Sequence, residues 1–396
     1  MRYLSGDILK LIAEETYGES YKAHKIELDL ETDTASRLDI REPRLDNPKL
    51  GETVKYRGYL SLAKAVQDIS QSYSQIFTYF LDGSRHVYKI DDMAYQHSNE
   101  RKMVYPIVAG QVVVGCCRRS NKKMFAEKFI GEVVIALPDI ANYNGKTGFL
   151  PALTKKINDK LSGRKFKLEI SKILDYKTGQ QQDMAFEDRA VAAIQDYMYQ
   201  TEQNMVASLV EQGKLNQTNY LVKDGSLEYR ILDDFKRDKR KFLTFKNNYG
   251  YVIGVSKKFN PALWTTGSGA NSKPNPGFIA GLRLYERTPV ICFENPDFHG
   301  DIKFAVWYVR IRLRHTDSPF DGVVKVEKIL VTKEELNSEK IDSDLVDTLS
   351  AHLINERNPV CYGSDNRWAN HIYPIFLTET FVKSKCISTE TFLHLF

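Results

Sequence analysis

Two aspartates, Asp82 and Asp224, close apolar runs of the same kind: IFTYFLDGSRH over 76–86 and NYLVKDGSLEYR over 219–230. In each, β-branched and aromatic residues read as a buried strand. Each run breaks off at Asp-Gly-Ser, where glycine permits a turn and serine a local hydrogen bond. Asp-Gly alone is an ordinary turn dipeptide. Repeated at the ends of two core strands, it also places two rigid carboxylates that need a partner, and a divalent cation is the obvious one. Two such ions held between acidic residues cleave phosphodiesters: one generates the hydroxide, the other stabilises the leaving 3′ oxygen. A third carboxylate should then project from a helix behind the strands. Glu202 is the candidate, with Glu187, Asp196 and Glu211 on the same predicted helix, where a glutamate is ordinarily a solvated surface residue. Lys257 follows the run 249–255 at a Gly-Val-Ser-Lys turn. It reads either as a surface lysine or as a point charge beside a phosphate.

The elements that must position these groups can be read in order. The strand ending at Asp82 is followed by β-rich runs at 105–117 and 129–137, an antiparallel meander. Residues 138–182, with Gly145, Gly148, Gly163 and a basic amphipathic stretch at 153–161, read as an insertion. The best helix spans 183–213, with Asp183 as N-cap and Gly213 beyond its end, and it leads into the strand carrying Asp224. Strand, meander, long helix, strand is the order of an RNase H-like core. The expected class is α/β: an RNase H-like mixed sheet flanked by helices, with an N-terminal helical arm. Residues 1–75 form that arm, packing on the core or on a second subunit, with Pro43 and Pro48 marking a loop. Residues 76–396 form the main domain. In WYVRIRLR, Trp307, Val309, Ile311 and Leu313 alternate with Arg310, Arg312 and Arg314. Basic runs at 118–123 and 236–241 add charge for a phosphate-tracking groove, although such runs are mostly solvated surface.

Composition narrows the class without naming it. With 42% hydrophobic and 27% charged residues the chain is that of a globular protein, and its net charge of +5 does not by itself announce nucleic acid. The five cysteines are scattered without a CxxC pair, so no zinc site or disulfide framework is indicated. No run is long enough to span a membrane and no signal peptide is visible, so a cytoplasmic location is expected. A phosphate-binding GxxxxGK[ST] loop is missing, which leaves any ATP dependence to a partner.

The motifs resemble, in order, those of the NurA family of DNA-end-processing nucleases: FLDGS (80–84), a helix glutamate before LVKDGSL (221–227), VIGVSK (252–257), WYVRIRL (307–313) and YPIFL (373–377). The resemblance spans roughly 76–385. It implies an RNase H-like homodimer, dependent on Mn2+ or Mg2+, that resects 5′ ends of DNA with a HerA-type hexameric DNA-translocating ATPase, in repair or phage defence. Residue by residue it implies that Asp82, Glu202 and Asp224 are metal ligands and Lys257 an active-site lysine. Arg85, Arg310 and Arg312, with Lys257, are expected on nucleic acid. One departure stands out: the family's Ala-His pair on the last helix is Thr380 and Phe381 here, which leaves Glu379 or His371 as candidate substitutes for the fourth ligand. The missing histidine also favours an alternative, a catalytically degenerate subunit that only binds DNA or the ATPase.

Overall fold

The structure, a computed structural model, describes residues 6–28, 46–54, 58–96, 101–142, 145–162, 168–179, 184–227, 239–266, 273–294, 302–314, 317–359 and 370–396. Helix α1 (Asp7–Thr16), strand β1 (Asp46–Leu50) and helix α2 (Ala63–Ser72) come first. Three long strands follow: β2 (Phe77–Gln96), β3 (Lys102–Ser120) and β4 (Lys123–Pro138). Next are α3 (Phe149–Leu161), β5 (Ile170–Tyr176), α4 (Phe186–Glu211), β6 (Tyr220–Asp224), α5 (Lys239–Asn247) and β7 (Val252–Ser256). Strands β8 (Ile291–Glu294), β9 (Lys303–Arg310) and β10 (Val323–Ile329) precede helices α6 (Ser343–Asn355) and α7 (Tyr373–Lys383).

One mixed sheet runs β1-β8-β9-β10-β7-β6-β2-β3-β4-β5. At its centre, β4-β3-β2 is an antiparallel meander, and β6 and β7 lie parallel to β2. That order, with α4 crossing between the meander and β6, is the RNase H-like arrangement expected from the sequence. Helix α4 covers one face because its apolar residues recur every three to four positions: Ala190, Ile194, Met198, Met205 and Leu209 are buried against Leu81, Val112, Val114 and Cys116. On the other face Val346, Leu349 and Leu353 of α6 pack against Phe80, Val222, Val255 and Trp307. Both faces of the central strands are therefore dry, and any charge there must find a partner inside the protein.

Several local readings change. Strand β2 does not stop at Asp82: Gly83 and Ser84 continue in register with Val114 and Val113 of β3. The long antiparallel partner supplies every backbone hydrogen bond that a turn would have supplied, so pairing overrides the turn tendency of Asp-Gly-Ser. Asp224 does end its strand, and Gly225 follows in the left-handed region at φ 87. Gly213 likewise follows α4 at φ 65, while Asp183, the expected N-cap, lies outside the described residues. Of the basic run at 236–241, residues 236–238 also lie outside them. The stretch expected as an insertion contributes α3 and β5, and β5 extends the sheet parallel to β4. Pro48, expected in a loop, sits in β1 at the end of the sheet order, where a missing N–H is tolerated. Among the described residues no helix is long and apolar enough to cross a membrane.

A buried cation ties the N-terminal segment to this framework. Arg287, fully buried, lies 2.9 Å from Glu52 and 2.5 Å from Asp347 of α6, and Glu52 also accepts the Val290 N–H at 3.0 Å. Replacing Arg287 by Met leaves the Glu52 charge buried without its cation. A loss of about 3–5 kcal/mol is expected, read as a lower urea midpoint, with part of it recovered in the double variant Glu52→Gln/Arg287→Met.

Candidate active site

The register of β6 against β2 decides which side chains meet. Phe80 stands opposite Val222 and Leu81 opposite Lys223, so the next residues, Asp82 and Asp224, are side by side on adjacent strands. Alternation puts both on the face of Phe80 and Val222, beneath α6 and α7, while Lys223 shares the α4 face with Leu81. On the far side of β6, Val255 of β7 stands opposite Asp224, and Lys257 lies two residues further on. Its Nζ is 2.8 Å from Asp224 Oδ2 and 3.2 Å from Glu379 Oε2. Helix α7 delivers Glu379; Pro374 in its first turn lacks only an N–H that would have no partner there. Four predicted residues thus converge: Asp82, Asp224, Lys257 and Glu379.

Their charges are unevenly matched. Asp82 is 8% exposed, and no hydrogen bond or ion pair reaches its carboxylate from the described residues. Burial, and then the neighbouring Asp224 carboxylate, hold its pKa well above the usual aspartate range despite the pull of Lys257. Burial works against the charge of Lys257 too, but Asp224 and Glu379 outweigh it and lift its pKa above the ordinary lysine value. Burial also disfavours ionised Glu379, yet Lys257 and Lys383 bring its pKa down to about 2. The site therefore contains an ammonium satisfied by two carboxylates, and a third carboxylate, Asp82, with no counter-charge of its own.

Glu202 arrives from the other side of the sheet. It is buried on α4 with Oε2 at 3.3 Å from Lys223 Nζ, and its Oε1 fills the space a side chain at position 83 would take: a Cβ on Gly83 would lie 2.5 Å from it. Burial raises its pKa, and Lys223 opposes that rise. It acts electrostatically on both Asp82 and Asp224 without standing beside them. Strand alternation is the reason: Asp82 and Gly83 are consecutive in β2 and face opposite sides of the sheet. Among the described residues no three acidic, histidine or cysteine side chains lie close enough to share an ion.

The arginines expected on nucleic acid are placed otherwise. Arg310 and Arg312 are 5% and 6% exposed. Arg310 donates to the carbonyls of Leu282 (2.5 Å), Asp321 (2.5 Å) and Pro319 (2.8 Å), and Arg312 to those of His371 (2.8 Å) and Arg357. Both guanidinium groups are engaged by backbone and fasten loops to β9, so the expected phosphate contact is corrected. Arg85 is half-buried, and alternation puts it on the face opposite Asp82. His371 is buried, its ring edge-to-face on Phe376 at 5.7 Å, and it is not among the groups acting on Asp82; Glu379 is.

One residue of the site escaped the sequence reading. Glu327 of β10 is fully buried; its Oε2 accepts from Ser226 Oγ at 2.8 Å and the Leu227 N–H at 2.7 Å, and Lys325 lies 2.7 Å from its Oε1. It holds the chain that leaves Asp224. The available signal was two charges alternating with apolar residues in VVKVEKI, a strand whose every residue is buried.

No family model matches the chain, and no curated protein matches it. Among solved structures it is similar to the crystal structure of the NurA nuclease from Sulfolobus solfataricus, at 13% identity over 81% of this chain and 85% of that one, with a TM-score of 0.39. A likeness this distant carries no argument about activity, which has to come from the site.

The raised pKa of Asp82 has a signed consequence for stability. A carboxyl whose folded pKa lies above its unfolded one stabilises the fold below the ordinary aspartate range and loses that contribution as pH rises through the folded value. At pH 7 in EDTA the charge is a net cost, so Asp82→Asn is expected to raise Tm by a few degrees, the difference closing in acid. A lower Tm for the variant at pH 7 would show that the Asp82 charge is already satisfied.

Proposed function

We propose that the chain is a divalent-metal-dependent deoxyribonuclease that hydrolyses phosphodiesters at Asp82 and Asp224. One observation carries the proposal: two aspartates on adjacent strands, one of them buried with no counter-charge within bonding distance. The donor set fits a hard ion such as Mn2+ or Mg2+, since every candidate ligand is a carboxylate. Asp82 and Asp224 would hold it, with Glu379 nearby on Lys257 and Glu202 adding negative potential through the gap at Gly83. Bound there, the metal supplies Lewis-acid stabilisation of a phosphoryl oxygen and a water of lowered pKa. The chain's own residues do the rest. Lys257, charged and held by Asp224 and Glu379, binds a phosphate oxygen as a point charge. Glu327 fixes the turn after Asp224, so that carboxylate does not reorient when substrate enters.

The wider assignments extend this reading: a homodimer, 5′-end resection of DNA, cooperation with a HerA-type hexameric ATPase, and a cytoplasmic role in repair or phage defence. Their support is the ordered set of short motifs in the sequence. A second reading has its own observation, because Lys257 already bridges two of the three carboxylates as a built-in cation. A protein that only binds DNA or the ATPase has no need of more.

Cleavage of labelled single-stranded DNA separates the two. Wild type is expected to cut with Mn2+ and not in EDTA, and Asp82→Ala and Asp224→Ala are each expected to fall to background while keeping the wild-type circular dichroism spectrum. Wild type inert with both Mn2+ and Mg2+, or either variant fully active, contradicts the nuclease assignment.

A further inference from the structure

The row of residues that begins at Asp82 continues across the sheet to an exposed aromatic pair. Asp82 of β2 stands opposite Gly115 of β3, and Gly115 opposite Phe129 of β4, so the three share one face. Two inter-strand spacings separate Asp82 from Phe129, about 10 Å. Gly115 makes room for α7: a Cβ there would lie 2.6 Å from Val382 and 3.2 Å from the Phe381 ring. Phe381 then meets Phe129 edge-to-face, with ring centroids 6.1 Å apart. Lys385 Nζ lies 5.3 Å from the centroid of each ring, which holds a positive charge at the edge of the pair. Even so, Phe129 is 51% exposed, on a strand that also leaves Lys123, Phe125 and Lys128 open to solvent.

A half-open aromatic ring and a neighbouring ammonium, on the same sheet face as the candidate catalytic carboxylate, are the parts of a base-stacking platform. We propose that Phe129, supported by Phe381 and Lys385, is a subsite for single-stranded nucleic acid: one base stacks on Phe129 while the adjoining phosphate meets the exposed Lys385. The base is thereby held at the flank of α7, whose Val382 and Phe381 cover Gly115 between Phe129 and Asp82. The inference rests on the nuclease reading for what happens at Asp82, but its own content is binding, and binding is measurable without catalysis. A stacking contact reads any base, because every base has a π-face, so the subsite tolerates sequence and requires an unpaired strand.

The test is fluorescence anisotropy in EDTA with a labelled short oligothymidylate and with the same oligomer made abasic throughout. Phe129→Ala is expected to weaken oligothymidylate binding about tenfold, and Phe129→Trp to retain it. The abasic oligomer is expected to bind wild type about as weakly as oligothymidylate binds Phe129→Ala, and to be indifferent to that substitution. Unchanged affinity in Phe129→Ala overturns the subsite, as does an equal loss for the abasic oligomer. So does a halved mass in sedimentation with affinity per protomer intact, which would make the pair a contact between copies. If the platform binds as described and no cleavage occurs with any divalent ion, the nuclease reading fails and the subsite stands.

Discussion

The parallel register between β6 and β2 is the constraint on which the rest depends. It alone brings Asp224 beside Asp82, residues far apart along the chain, with both side chains on one face. A slip of one residue would turn Asp224 toward α4 and put Lys223 in its place. The adjacency is unfavourable in itself, since two buried carboxylates repel. What holds it is the mass of the fold on either side: the long β2–β3 pairing, α4 beneath and α6 above. Glu327 adds a local restraint by fastening the chain just after Asp224.

The sheet also separates two sets of charges. Above it, under α7, are Asp82, Asp224, Glu379 and Lys257; below it, facing α4, Glu202 is paired with Lys223. Lys325 and Glu327 form a further pair two strands away, with Glu327 in line with Gly254 and Lys223 across β7 and β6. In these sets each lysine is matched by a carboxylate, and Asp82 is the acid left over. The opening at Gly83 lets Glu202 deepen the negative potential at Asp82 from below. Such a field attracts a small, highly charged cation more than a second ammonium.

Much of this was legible in the chain, and the failures have physical causes. Asp224 and Lys257 were readable because local chemistry places them, a glycine turn in one case and a strand end in the other. Asp82 was found for a partly mistaken reason: Asp-Gly-Ser marks a turn only where no long partner strand competes, and β3 competes. For the arginines of WYVRIRLR the alternation was read correctly and the exposure was not. Alternation says which residues share a face but not that both faces are covered, so Arg310 and Arg312 are interior staples while Leu313, on the apolar side of the alternation, is 61% exposed. Glu327 needed knowledge of which strand lies beside β7, and nothing local encodes that. The side of the sheet on which Glu202 sits was beyond reach for the same reason.

Anomalous scattering from crystals soaked in Mn2+ shows whether Asp82 and Asp224 share a cation. A peak is expected about 2.1 Å, the usual distance for a hard divalent ion, from a carboxylate oxygen of each aspartate. No peak at saturating Mn2+, with Lys257 still bridging Asp224 and Glu379, would contradict a shared cation.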